Sequence, residues 1–181
     1  MNLLNNYFKY RGVTGAFLFL ASFLTFQQAW NMQLGIVFWF LSIYIRLSAR
    51  RCIGIHTRYD YITANTLVTC GPYSISKNPL YISNLLFIGS ILMGQNYWVI
   101  MLWMTLCFLH FHILALAEAR YLQENFSAYK HWNVPFWIGR FSYIPPKYNV
   151  RILKSLLEDK WTWIWQSLIL LTLYFGLRHN A

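Results

Sequence analysis

Leu67-Val-Thr-Cys-Gly-Pro-Tyr-Ser-Ile-Ser-Lys-Asn-Pro-Leu-Tyr81 is a turn-rich, partly polar stretch that runs straight into an apolar segment. Gly71-Pro72 marks a turn. Pro79 pushes the residue before it out of the helical region and suits the first position of a helix. The sequence therefore predicts a helix starting at Pro79, with Asn78 as its N-cap. The start of a helix presents free N–H groups and partial positive charge, which together receive anions. Lys77 adds a formal charge at the same place. The helix carries no charged residue from Leu80 to Met93, so its polar mouth opens onto an apolar body.

Outward from this stretch the chain keeps the same character. Of its 181 residues 57% are hydrophobic and 20% aromatic, and the mean hydropathy is +0.37. Such a composition belongs to membrane proteins rather than soluble domains. Spanning takes about 20 apolar residues, fewer where the flanks snorkel. The candidate spans are Val13–Phe26, Leu34–Leu47, Leu80–Met93, Tyr97–Ala117 and Trp161–Leu177. The connections 27–33 and 94–97 are short and uncharged, so each joins a helical hairpin. The expectation is an all-α integral membrane protein of about five transmembrane helices, with amphipathic cytoplasmic segments, forming a single membrane domain over 1–181.

The net charge of +10 sits between the apolar runs. Topology and lipid headgroups explain that pattern better than nucleic acid does, because no nucleic-acid-binding signature accompanies it. Every Lys and Arg except Arg178 falls before the first span, between the second and third, or between the fourth and fifth. The positive-inside rule makes that side cytoplasmic and places the N-terminus there. All five acids share it. Lys9 and Arg11 precede the first apolar run, which lacks an Ala-x-Ala cleavage pattern and is expected to stay as an anchor. Trp161, Trp163 and Trp165 suit an interfacial belt. Cys52, Cys70 and Cys107 form no CxxC and lie at no metal-ligand spacing from a His, so neither a disulfide framework nor a metal site is expected.

A carboxylate, Glu118, closes the fourth apolar run. At that depth a carboxylate has a partner or a task, and the hairpin returns it to the side of the Leu67–Tyr81 stretch. His110 and His112 are two positions apart and do not face each other on a helix. Either could accept a proton, as could Tyr81. Phe126, Tyr129 and Trp132 recur with a spacing that suits an amphipathic helix lying on the membrane. Arg50-Arg51 reads as the boundary of the second span.

Two motifs now carry a resemblance. Leu67-Val68-Thr69-x-Gly71-Pro72-Tyr73, followed by Lys77-Asn78-Pro79-x-Tyr81, resembles the first signature of the integral-membrane methyltransferases, a family that includes isoprenylcysteine carboxyl methyltransferases and phospholipid methyltransferases. Glu118-Ala119-Arg120-Tyr121 through Phe126, with Tyr129 and Val134-Pro135 beyond, is similar to the second. The likeness covers about residues 58–140 and leaves 161–177 as an extra C-terminal span. It departs at Ala119, where a second Glu is usual, at Ser83, where a Gly is common, and in a shorter linker before Val134. Leu114 stands where the carboxyl methyltransferases have Arg, which makes a prenylcysteine carboxylate a poorer substrate.

The resemblance implies an S-adenosylmethionine-dependent methyltransferase with its cofactor site at the cytoplasmic face. It implies cofactor contacts from Asn65, Thr66, Leu67, Val68, Tyr73, Asn78, Pro79, Leu80, Tyr81 and Glu118; the residues themselves add Lys77 at the helix start and His112 and Tyr81 as catalytic candidates, and methyl transfer from a sulfonium needs no metal. The acceptor would be lipophilic or small and reach the site from the bilayer: an isoprenylcysteine, a phospholipid amine or a thiol. Two rival readings stand beside it. One is an NADPH-dependent membrane reductase of the sterol-reductase type, and the other a non-catalytic member of the family.

Overall fold

The computed structural model describes residues 7, 9–24, 31–53, 66–93, 95–138, 144–147 and 151–178. Among them lie six α-helices and no strand: α1 Arg11–Leu24, α2 Met32–Ile53, α3 Pro79–Leu92, α4 Tyr97–Asn125, α5 Ile152–Glu158 and α6 Lys160–Arg178. Two 3-10 turns, Gly71–Ser74 and Ser127–His131, precede α3 and follow α4.

Local chemistry sets the starts of α2 and α4. Asn31 caps α2, its side-chain oxygen accepting from the Leu34 N–H at 3.2 Å, and its own N–H donates to Met93 O at 3.0 Å. That bond ties the start of α2 to the end of α3. Asn96 caps α4 by accepting from the Trp98 N–H at 2.9 Å. Short polar side chains of this kind satisfy the orphan donors of a helix start.

The tightest helix pair is α2 with α3. Small buried residues recur every second turn along α2, at Gly35, Ser42 and Ala49, and along α3 at Ser83 and Ser90. The Ser42 hydroxyl donates to Ser83 O at 2.8 Å and the Ser83 hydroxyl donates to Ser42 O at 3.0 Å. Small residues and paired hydroxyls at a seam are how helices associate where lipid removes the hydrophobic drive. Ser83 thus keeps the close approach that a glycine would allow.

Helix α4 exposes Trp98, Met101, Leu102, Leu106, Leu109 and Leu116 along one side. Its other side buries Cys107, His110, Phe111, Leu114 and Ala117. Apolar outside and partly polar inside is the pattern of a helix solvated by lipid. Of the described helices α4 alone has the length and apolarity to cross a membrane, and α3 is a shorter apolar helix.

Several expected boundaries move. Helix α2 runs past Leu47 to Ile53, because arginines along its last two turns are held by acids of the C-terminal part. Arg46 Nε donates to Asp159 Oδ2 at 2.5 Å and Arg46 Nη1 to Asn84 Oδ1 at 2.9 Å. Arg50 lies 3.8 Å from Asp159 Oδ2 and 3.9 Å from Glu158 Oε2. Helix α4 continues past Ala117 to Asn125, so Glu118 is a mid-helix residue and not a helix end. The expected surface helix around Phe126–Trp132 is a 3-10 turn whose Tyr129 and Trp132 are buried; Lys77 and the following Val134-Pro135 hold it against the body. Helix α5 appears where a polar connection was expected. Residues 25–30 and 54–65, and hence Asn65 and the end of the first expected span, lie outside the described residues.

Candidate functional site

Gly71 makes the turn at the centre of the site. Its φ of 61° is open to glycine, and a Cβ there would meet Cys52 Sγ and Pro146 Cβ at 3.0 Å. The turn is fastened on both edges. The Gly71 N–H donates to Ile144 O at 2.8 Å; the Ser74 hydroxyl donates to Gly71 O at 2.7 Å and accepts from the Ile144 N–H at 3.0 Å. This fixes Tyr73 inward, where Leu67, Val68 and Leu80 pack with it, Ala119, Tyr129 and Trp132 in one cluster. Both expected motifs are therefore in contact. Thr66 is exposed at the edge.

Asn78 stands at the N-cap position and Pro79 at the first helical position, as expected, but the Asn78 side chain does not cap. Its Nδ2 donates instead to Phe136 O at 2.6 Å. The N–H groups that open α3, on Leu80 and Tyr81, are thus left uncapped by it, which is the condition for anion binding. Lys77 departs from the expected role as a charge beside that helix start. Its ammonium lies over the rings of Tyr129 at 4.6 Å and Trp132 at 5.5 Å, while its N–H donates to Pro135 O at 3.1 Å. Burial lowers the Lys77 pKa from 10.5, and the aromatic faces offset part of that cost.

The Tyr81 hydroxyl donates to Glu118 Oε1 at 2.7 Å, and the Tyr81 ring stacks on Phe111 with centroids 5.5 Å apart. This bond joins the first motif to the second. The Glu118 charge is felt around it: burial first, then that carboxylate, holds the Tyr73 and Tyr129 phenols above their ordinary 10.0. Both tyrosines stay neutral donors over any physiological range.

His112 lies on a different side of α4. The Trp137 indole N–H donates to its Nδ1 at 3.2 Å, and Phe108, Phe136 and Trp137 surround the ring. An indole can only donate, so Nδ1 accepts and the ring proton sits on Nε2. His110 turns toward α1, where Tyr7 Oη meets its Nδ1 at 2.6 Å. Trp137, Phe136 and Trp132 are the residues that sequence reasoning missed or misplaced. The aromatic density of 126–137 was visible; its burial was not.

Among the described residues no cluster of three metal-ligating side chains occurs. The residues do fit S-adenosylmethionine. An uncapped helix start suits its carboxylate, Glu118 suits its ammonium or ribose hydroxyls, and Tyr73 and Tyr129 offer aromatic faces. The Trp132 indole N–H is buried with no partner, and a buried orphan donor in such a place calls for a ligand acceptor.

Fold and site together define a helical protein with one helix long and apolar enough to cross a membrane among the described residues, built around two polar motifs joined at one carboxylate. The phospholipid methyltransferase family model matches residues 30–129, more than half of the chain, and the chain belongs to that family of methyltransferases. The match begins earlier than the motif likeness did, taking in α2, and it ends before α5 and α6. No curated protein and no solved structure matches the chain.

Proposed function

We propose that this protein is an S-adenosylmethionine-dependent methyltransferase acting on a lipophilic or small acceptor drawn from the bilayer. The observation that carries the reading is the Tyr81–Glu118 hydrogen bond, which brings both motifs together at the uncapped start of α3, inside the family match. When bound, the cofactor supplies a methyl group already activated on a sulfonium, so alignment and exclusion of water are the main demands on the protein. Leu80 and Tyr81 N–H groups would hold its carboxylate, and Glu118, fixed by Tyr81, its ammonium or ribose. Tyr73, Tyr129 and Trp132 would flank the adenine. The methyltransferase family favours this chemistry over nicotinamide-dependent reduction.

His112 takes an orienting role in this reading, because its basic Nδ1 is occupied by Trp137 and its Nε2 carries a proton. An acceptor amine or thiol would then lose its proton to water at the polar end. The exposed apolar sides of α1, α2, α4 and α6 support a multi-pass placement in the membrane. The basic residues near 46–51 and 120–160 support a cytoplasmic site and a cytoplasmic N-terminus.

The test supplies labelled S-adenosylmethionine to membranes carrying the protein or its Glu118→Gln variant, then separates lipid, small-molecule and protein fractions. Label should enter the lipid or small-molecule fraction with the wild type and fall strongly with the variant. A folded wild type that transfers label to no fraction would overturn the reading.

A further inference from the structure

Two cysteines meet where α2 ends against the Gly71 turn. Cys52, in the last turn of α2, is fully buried; Cys70, directly before Gly71, is partly exposed. Both belong to the cluster around Tyr73, and a side chain at Gly71 would start 3.0 Å from Cys52 Sγ. The left-handed Gly71 is thus what brings the loop cysteine beside the helix cysteine. The Lys147 N–H donates to Cys70 Sγ at 3.3 Å. Its partial exposure makes Cys70 the partner that an oxidant can reach, and the buried Cys52 is the resolving one. Cys107 belongs to a separate cluster on α4.

We propose that Cys52 and Cys70 form a reversible thiol–disulfide pair that joins the end of α2 to the turn carrying Tyr73. The oxidant is a small-molecule disulfide such as oxidised glutathione. The Cys70 thiolate attacks one of its sulfurs, forming a mixed disulfide and expelling one thiolate. Cys52 then attacks the Cys70 sulfur, expels the second thiolate and gives up its proton to it. Two protein thiols are oxidised and one small disulfide is reduced to two thiols. The bridge pins Cys70 between Val68 and Tyr73, so oxidation restrains the turn that lines the site. That consequence rests on the cofactor reading above, whereas formation of the bond does not.

The experiment treats the full chain in detergent with oxidised glutathione and follows intact mass and peptide maps after alkylation. The expected product has lost two hydrogens, contains a Cys52–Cys70 cross-linked peptide and reverts with dithiothreitol. Cys52→Ser should stop at a glutathione adduct on Cys70. A wild type that also stops at that adduct, bridges through Cys107 or does not react would overturn the pair. Calorimetry on the same samples should show S-adenosylmethionine binding weakened roughly tenfold by oxidation, about 1.4 kcal/mol, and restored by reduction. Unchanged binding would overturn the control of the site. Absence of binding in the reduced protein would instead strike the cofactor reading and leave the bond itself standing.

Discussion

Two carboxylates in this molecule sit among helices and are treated in opposite ways. Asp159, at the α5–α6 junction, is 1% exposed and is met by Arg46, by Arg50 and by the Thr162 hydroxyl at 3.0 Å. Glu118 takes its hydrogen bond from a neutral phenol, with Arg11 acting on it at longer range. A charge cancelled by guanidinium groups is structural glue. A charge steadied by a neutral donor keeps its attraction for a cation. Asp159 also lies outside the family match and Glu118 inside it, so the contrast sets an ion pair that holds the molecule together against a carboxylate proposed to bind.

The largest effect expected from breaking this contrast is on stability. Asp159→Ala takes the carboxylate from the part-buried Arg46 guanidinium and leaves the buried Arg50 only its longer ion pair with Glu158, and removing one partner of a buried pair costs about 3–5 kcal/mol. Denaturant unfolding in detergent should show the loss, while the fraction still folded binds cofactor normally. Folded Asp159→Ala protein without affinity would show that the two carboxylates serve one site. Glu118→Gln should do the reverse. Losing a charged hydrogen bond of about 1.5–3 kcal/mol weakens S-adenosylmethionine binding on calorimetry by roughly ten- to a hundredfold, with the unfolding midpoint almost unmoved. Equal affinity would remove Glu118 from the site.

Tyr81→Phe sharpens the comparison further. It deletes a bond worth about 1 kcal/mol and should lower affinity by about fivefold, less than Glu118→Gln because the carboxylate remains. An effect larger than that of Glu118→Gln would mean the phenol itself meets the ligand. The smallest effect is alkaline. Folded Tyr73 and Tyr129 are raised above 10.0, so they bind protons that the unfolded chain has released. Their contribution to stability is complete below pH 10.0 and is lost as pH rises through their folded values. Tyrosinate absorbance should therefore appear for these two only together with unfolding. Ionisation in the folded protein would contradict their burial.

What the sequence disclosed followed from local rules. Pro79 and Asn78 set the start of α3 within one residue, and the uncharged turn expected before Tyr97 ends at the Asn96 cap that opens α4. The likeness between the two motifs and a methyltransferase family also survived, and Glu118 does meet Tyr81. Misreadings arose wherever a distant partner decided. The end expected at Leu47 fell short of Ile53 because nothing nearby foretold that Arg46 and Arg50 meet Asp159 and Glu158, more than a hundred residues on. Asn78 looked like a capping side chain because Phe136 O, its real acceptor, lies far along the chain. Lys77 looked free to meet an anion because the rings of Tyr129 and Trp132 were assigned to a surface helix.

The serine pair at the α2–α3 seam bears on traffic. Helices whose backbones are drawn together by Ser42 and Ser83, with Gly35, Ala49 and Ser90 along the same line, leave no gap that an acyl chain could part. Phe87 and Ile91 on α3 are in turn covered by Leu170 and Leu173 of α6. The proposed acceptor, arriving sideways from the bilayer, would pass along α4 instead, where Leu109 and Leu116 face outward and the hydroxyl bond to α3, from Tyr81 to Glu118, lies beyond them at the polar end. The door, on this arrangement, is on the opposite flank from the lock.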